Sequence, residues 1–461
     1  MNPARVAAMI NRLPRRVRTF AERFHEAGYE CYLVGGAVRN LLLGRRPSDF
    51  DFASNATPEE VMAIFRRVIP TGVQHGTVTV LHHGASFEVT TYRTEGDYTD
   101  ARRPDTVRFV RDIHEDLKRR DFTINAMALD PVSARFLDPH GGTDDIKAKI
   151  VRAIGDPAER FREDALRLLR AVRFATQLEF VIDPRTLEEI TERAASISAV
   201  SQERIRDELT KILESSRPSY GLILMKETRL LDYLVPELVE GIDVAQRGNH
   251  RFDIFEHSLR ACDAAPPGNL IVRLAALFHD VGKPRTLEVA PDGTRRFHGH
   301  DQVSADMTEG ILRRLRYPNK TVDRVVHLVR HHMFNYTPEW TDSAVRRFIS
   351  RVGIHAIPDL LALRQADGEA IRGERVDPRP LSELAARVQR QVETDHAFTV
   401  RDLAVNGHDL MESGIPSGRT LGIVLEALLE TVLDDPRQNE KSRLLEIAHR
   451  FYEERIERPG Q

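Results

Sequence analysis

The sequence predicts an α+β chain in which a small mixed sheet near the start gives way to a long all-helical stretch. Three observations predict it. Short runs rich in β-branched and aromatic residues, broken by Gly, Asp or Pro, are concentrated between Cys31 and about Ile150. From "IGDPAERF" almost to the end, apolar residues recur at spacings of three and four. The chain's 461 residues also exceed what one core organises, so several domains are expected.

In order, "CYLVGG", "FDFAS", "TVTVLHH", "SFEVTTYR" and "TVRFV" read as strands. Among them "TPEEVMAIFRRV" reads as a helix, with Thr57 as N-cap and Pro58 at the first helical position. Downstream, "EDALRLLRAVRFATQL", "ERIRDELTKILES" and "LGIVLEALLETVL" read as amphipathic helices. "SSRPSYG", "AAPPGN", "VDPRP" and "ESGIPSG" are the expected joints.

Composition excludes several classes. Hydrophobic residues make up 41% and charged residues 30%, as in globular proteins. Two cysteines far apart, Cys31 and Cys262, form no disulfide framework and suit a reducing cytoplasm. No stretch reads as a signal peptide or a membrane span. A net charge of −3 does not mark a nucleic-acid binder, although "RLPRRVR", "DARRPD" and "DLKRRDF" cluster basic residues.

The chemistry concentrates first in "LVGGAVRNLLLGRRPSDFDFAS". On a strand, alternation points Asp49 and Asp51 to one face. Two carboxylates aimed at one point repel unless a cation joins them, and Mg²⁺ is the hard, oxygen-seeking candidate that also binds substrate phosphates. Gly35 and Gly36 let backbone approach a triphosphate without a Cβ in the way, and Arg39 can neutralise it. Glu88 in "SFEVTT" supplies a third acid on another strand. Three acids, a metal and a triphosphate grip describe in-line nucleotidyl transfer.

In "EDALRLLRAVRF", Asp164, Arg167, Arg170 and Arg173 recur every three residues along one drifting helix face. They form either a surface ion-pair ladder or a base reader. A carboxylate accepts from an exocyclic amine, and a guanidinium donates to an unprotonated ring nitrogen. Cytosine and adenine present that pair, whereas uracil and guanine present the reverse, so an Asp–Arg pair admits C and A without a nucleic-acid template.

Together, "LVGGAVRNLLLGRRPSDFDF", "HGTVTV", "EVTTYRTEGDYTDARRPD", "DLKRRDFTINAMA", "IGDPAERFREDALRLLRAVRFA" and "SQERIRDEL" resemble the bacterial class II tRNA nucleotidyltransferases. These are the CCA-adding enzymes, which share a superfamily with bacterial poly(A) polymerases. The motifs stand in the family's order from Leu33 to Leu209. The resemblance implies a polymerase-β-like nucleotidyltransferase head at 1–150, a base-recognising neck at 151–215, a body at 216–378 and a tRNA-binding tail at 379–461. It also implies that Asp49 and Asp51 hold Mg²⁺, that Gly36 and Arg39 contact the triphosphate, and that Arg120 contacts the nucleotide. Asp121 and Asn125 would lie near its ribose, with Asp164 and Arg167 reading the base and Arg170 and Arg173 assisting. Asn40 departs from the family, which usually has Asp after the arginine. CTP, ATP and tRNA are the expected partners; no protein partner is inferred.

A second constellation lies in the helical part. "FEHSLR" carries His257, "LFHDVGKP" His279 and Asp280, and "RQADGE" Asp367. These resemble the HD phosphohydrolase superfamily and would hold a second divalent metal able to activate water against a phosphate ester. Lys283, His300 and His331 are further candidates.

CCA addition is the leading function. A poly(A) polymerase would use the same head, and an HD hydrolase with a nucleotide-sensing head is the alternative of another class. In the family, enzymes adding only the two cytidines lack a flexible loop, which here spans roughly Thr94 to Asp105.

Overall fold

The computed structural model describes residues 2–95, 107–246, 251–394 and 397–454. They fall into two compact units: Met1–Val239 with Arg314–Arg316, and Glu240–Arg313 with Tyr317–Gln461. The greater part of the loop expected at 94–105 lies outside the described residues.

The first unit is built on a seven-stranded mixed sheet. Its strands in chain order are β1 (Cys31–Val34), β2 (Asp51–Ser54), β3 (Val68–Gly72), β4 (Thr77–His82) and β5 (Ala85–Thr91). β6 (Arg93–Glu95) and β7 (Val107–Phe109) form a separate ribbon, and β8 (Ala128–Leu129) and β9 (Phe136–Leu137) complete the sheet. The spatial order is β3-β4-β5-β2-β1-β8-β9. Only β2 and β5 pair in parallel; the other neighbours are antiparallel.

The register positions the chemistry. Val34 stands opposite Asp51, and Asp51 opposite Glu88, so the turn after β1 and two acids share one row across three strands. Alternation sends the neighbouring Phe52 and Phe87 to the other face. There they pack with Phe20 and Phe24 of the helix Arg15–Glu26, the Phe20 and Phe87 rings stacking at 4.4 Å. That burial of aromatic surface holds the acid-bearing row in place from behind.

Thr57 and Pro58 start a helix as expected, with a complete capping box to Glu60. The helix ends at Ile64, immediately before "FRRV", because Phe65 turns extended and stacks its ring on Phe20 at 4.9 Å. A larger departure concerns "EDALRLLRAVRF". Asp164 is extended (φ −148°, ψ 105°) and separates the helices Pro157–Glu163 and Leu166–Leu178. It therefore does not share a helix face with Arg167, Arg170 and Arg173. Its carboxylate instead accepts from the Leu166 backbone N–H at 3.0 Å, at the start of the second helix.

In the second unit the apolar helix Leu270–Phe278 packs against Ile254–Ala264, Asn319–His331 and Ile357–Arg372. A hairpin, Glu288–Val289 with Arg295–Arg296, interrupts the helical part. Its "PDG" turn is a hairpin signal that a helical reading passes over. Toward the C-terminus, Leu410, Val424, Leu428, Leu444 and Ala448 form a further core.

Thr57→Ala removes the N-cap acceptor while leaving Pro58 in place. It should cost about 1 kcal/mol in urea unfolding, and Thr57→Ser should restore most of it.

Candidate functional site

A cleft of about 820 Å³ opens in the first unit. Eight arginines and four carboxylates line it, with Gly35, Gly36, Asn125 and Phe174 among their neighbours. Gly35 has φ +65°, and a Cβ there would stand 3.5 Å from the Arg120 guanidinium and 4.0 Å from Asp51 Oδ2. Those are ordinary contact distances, so it is the backbone conformation that selects glycine where the chain leaves β1 for the helix Gly36–Leu42.

Asp51 and Glu88 face the cleft side by side. Desolvation raises the pKa of both; Asp49 adds to the rise at Asp51, and Asp51 to that at Glu88, while Arg120 opposes the shift at Asp51. Carboxylates side by side on adjacent strands, both raised by burial and near guanidiniums, are the donor set a hard divalent cation fits. Asp49 precedes β2 rather than lying on it; its exposed carboxylate accepts from the Ser48 hydroxyl at 2.9 Å and does not line the cleft.

The arginines are held by a connected network. Arg39 donates to the Asn125 carbonyl at 2.7 Å, Asn125 donates to Asp121 at 3.2 Å, and Arg170 donates twice to Asp121 at 2.6 and 2.9 Å. Arg173 pairs with buried Glu208 at 2.8 Å. Asn40 accepts from Arg39 through two nitrogens at 3.2 and 3.3 Å, so this residue still orients the guanidinium, without a carboxylate's charge. Burial and the nearby Arg173 bring Arg39 down to about 10, partly offset by Asp121. Burial works against the Asp121 carboxylate, yet Arg170, Arg167 and Asn125 outweigh it and hold the group at about 2. The Phe174 ring lies under Arg39, Arg170 and Arg173 at 5.1, 5.4 and 4.0 Å, a face that favours cations.

Buried Asp116 accepts from Arg119 at 2.6 and 3.0 Å and from Arg120 at 3.1 Å, which fixes Arg120 beside Gly35. Asp164 receives a two-pronged contact from Arg204, at 3.2 and 2.7 Å. Arg167 donates to Glu163, to the Arg160 carbonyl at 3.1 Å and to the Arg119 carbonyl at 3.2 Å. A guanidinium has five N–H donors, so three such bonds leave donors for a ligand.

In the second unit His257, His279, Asp280 and Asp367 converge. The Nε2 atoms of His257 and His279 lie 3.1 Å apart, and both stand 3.3 Å from Asp280 Oδ2. Asp367 Oδ1 closes the group at 3.2 and 3.5 Å. Burial opposes charge on His279, but Asp280 and Asp367 push its pKa up to about 10. Lys283 pairs with Asp280 at 2.6 Å. His300 joins the cluster, whereas His331 packs against His327 and its neighbour His332 faces Asp280 instead. Gly282 lets the helix His300–Arg314 approach: a Cβ there would lie 2.6 Å from the Ser304 nitrogen.

The Poly A polymerase head domain matches residues 31–152, and the probable RNA and SrmB-binding site of polymerase A matches 179–241. The putative tRNA nucleotidyltransferase domain 2 matches 301–448. The CCA-adding enzyme of Lactobacillus johnsonii is 34% identical over 447 residues, covering 95% of this chain and 98% of the relative. The chain belongs to the CCA-adding enzyme family. The CCA-adding enzyme of Geobacillus stearothermophilus is 36% identical over 428 residues, 92% of this chain and 93% of the relative. Among solved structures, the Bacillus stearothermophilus CCA-adding enzyme in complex with CTP superposes with a TM-score of 0.73 at 32% identity, over 95% of this chain and 97% of that one. The Thermotoga maritima CCA-adding enzyme complexed with tRNA shares the fold, with a TM-score of 0.58 at 18% identity over 96% and 98%. CCA-adding enzymes are divalent-metal-dependent nucleotidyltransferases.

Sequence reasoning missed Asp116, Arg204, Glu208 and Phe174, and of the two histidines in "VRHHM" it preferred His331 to His332. Arg204 and Glu208 stand in "SQERIRDEL", already part of the family resemblance, but their partners lie 40 and 35 residues away. His332 was legible: Val322, Val325 and Val329 are buried on the helix Asn319–His331, and the next position of that stripe is 332, not 331.

Asp121 takes up its proton near pH 2 when folded but at about pH 4 when unfolded. Its ionisation therefore favours the folded state fully above about pH 4, and that contribution is lost as pH falls through about 2. Asp121→Asn should unfold at lower urea than wild type at pH 7, by about 2 kcal/mol. The gap should close as the two are compared at successively lower pH toward 2.

Proposed function

We propose that this chain builds the CCA end of tRNA, adding C, C and A from CTP and ATP without a nucleic-acid template. The observation that carries the proposal is the pairing of the Asp51–Glu88 row with an arginine-rich cleft in a chain one-third identical to CCA-adding enzymes over nearly its whole length. A poly(A) polymerase is the weaker reading, since three relatives that cover 92–95% of this chain bear the name CCA-adding enzyme.

The finer assignments are proposals of the same kind. Asp51 holds Mg²⁺ together with Asp49, whose charge acts on Asp51 although its carboxylate rests on Ser48, and Glu88 completes the acidic row. Bound there, the cation offsets charge on the reacting phosphate and on the departing pyrophosphate. Gly35 and Gly36 admit the triphosphate, Arg39 and Arg120 neutralise it, and Asp121 and Asn125 face the ribose while anchoring Arg39 and Arg170. Asp164, held by Arg204, accepts from the base amine; the unused donors of Arg167 meet the ring nitrogen. Arg170 and Arg173 support this site from Phe174. The division into head (1–150), neck (151–215), body (216–378) and tail (379–461), with tRNA on the tail, follows the same reading. No helix among the described residues is long and apolar enough to cross a membrane, and both cysteines are free and buried. We place the protein in the cytoplasm.

The convergence of His257, His279, Asp280 and Asp367 favours a second activity, hydrolysis of 2′,3′-cyclic or terminal phosphates by a divalent metal in the body. His279→Ala and Asp280→Ala should abolish phosphate release measured with Mg²⁺, Mn²⁺, Co²⁺ or Ni²⁺, while CCA addition continues. Absence of release by the wild type with all four ions would make the cluster structural.

For the transferase, Asp51→Ala should abolish incorporation of labelled CTP and ATP into tRNA lacking its 3′ end, with tRNA binding retained. Arg167→Ala should lower use of CTP and ATP together and narrow the gap to UTP by roughly ten- to a hundred-fold, the value of a buried charge-assisted hydrogen bond. Unchanged nucleotide choice with a lower Tm would reduce Arg167 to a structural ion pair.

A further inference from the structure

We infer that Asp116 is a positioning residue that sets the triphosphate grip and the base reader from a single carboxylate. The inference rests on the proposed nucleotidyl transfer and names a further residue on which its specificity depends. Asp116 lies on the short helix Ile113–Lys118, and its side chain is fully buried. Ile113 and Leu117 of that helix share a core with Tyr32 and Val34 of β1, the strand that leads into Gly35. The carboxylate is therefore fixed relative to the glycine turn at the cleft.

Its two oxygens divide between successive arginines, which the helical spacing of three and four residues brings to its side of the last turn. Oδ1 accepts from Arg119 Nε and Nη2 at 3.0 and 2.6 Å, and Oδ2 accepts from Arg120 Nη2 at 3.1 Å. Burial opposes charge on Asp116, yet Arg119 and Arg120 outweigh it and hold the carboxyl below its usual range. An exposed pair at this spacing contributes little, but a buried one leaves an uncompensated charge when it is broken.

Arg120 carries the first link, to the phosphates. It lines the cleft beside Gly35, and among the described residues Asp116 is its one side-chain hydrogen-bond partner, its buried Nε having none. The donors left over are free for a triphosphate, and their aim depends on that single anchor. The second link runs through the backbone to the base reader. The peptide joining Arg119 to Arg120 is tied to Asp116 by the side chains on both sides of it, and its carbonyl accepts from Arg167 Nη2 at 3.2 Å. The preceding carbonyl, of Lys118, accepts from Arg160 at 3.5 Å, and the Arg160 carbonyl accepts from Arg167 Nη1 at 3.1 Å. Arg167 is thus seated on a stretch of chain that Asp116 holds. For a group that must meet a ring nitrogen, a misplacement of about 1 Å can cost roughly a hundred-fold.

In Asp116→Asn one oxygen becomes an amide NH₂, which cannot accept from a guanidinium, so an arginine loses its anchor. The test uses the full chain with Mg²⁺ and two readouts. Calorimetric affinity for inorganic tripolyphosphate reads the grip alone. The ratio of kcat/KM for CTP and UTP, on tRNA lacking its 3′ end, reads the base. Asp116→Asn should weaken tripolyphosphate binding and narrow the ratio, each roughly ten-fold. In an Arg120→Ala background it should add nothing to the tripolyphosphate loss, and in an Arg167→Ala background nothing to the change in ratio. Additive losses in those backgrounds, or a lower Tm with tripolyphosphate affinity and ratio unchanged, overturn the inference. Failure of the wild type to incorporate CTP overturns the proposed function instead, and the tripolyphosphate readout, which needs no turnover, still decides whether Asp116 sets the grip. Where Asp116→Asn does not fold, its combination with Arg119→Gln, an amide pair in place of the ion pair, carries the same expectations.

Discussion

Like charge crowded around one cavity is the constraint on which the first unit depends. Arginines close to one another repel by about 4 kcal/mol per pair at 4 Å and an effective dielectric of 20. The chain meets this by giving its arginines carboxylate anchors, most of them from other elements. Asp121 holds Arg170, Glu208 holds Arg173, Asp116 holds Arg119 and Arg120, and Asp164 receives Arg204. The positive side of the cleft is thus fixed before a ligand arrives, so binding a triphosphate need not order long side chains. The acidic row opposite is preorganised in another way, by strand register and by aromatic packing behind the sheet.

That division explains what was legible in the sequence. The acids follow from alternation: on β5, Glu88 lies between buried Phe87 and Val89, and on β2, Asp51 precedes buried Phe52. Gly35 and Gly36 announce a close approach of backbone to ligand, and Gly35 takes the left-handed conformation that its type allows. Thr57 and Pro58 announce a helix start because capping is local chemistry. What alternation cannot supply is the parallel pairing that sets Asp51 beside Glu88, since that depends on how distant segments meet.

The departures share a cause. Periodicity placed Asp164 on a helix face, but a carboxylate able to accept a backbone N–H and a distant guanidinium is more useful at a helix start than within it. Phe65 left its helix to reach the aromatic cluster, trading a turn of backbone hydrogen bonds for burial. Arg204 and Glu208 looked like ordinary charges of a solvated helix until tertiary structure brought them to the cleft. In the second unit, His257, His279, Asp280 and Asp367 were legible from their motif, while choosing His332 over His331 required the phase of a buried stripe.

On the proposed function, a fixed array of protein side chains, and no nucleic-acid strand, dictates which nucleotides are joined. This is tested most directly by sequencing the 3′ ends of a tRNA lacking its terminal triplet after incubation of the wild-type protein with all four nucleotides at equal concentration. Ends that terminate in CCA, with uridine and guanosine excluded, are expected. Homopolymeric adenosine tails, or uridine and guanosine incorporated in proportion to supply, would contradict it.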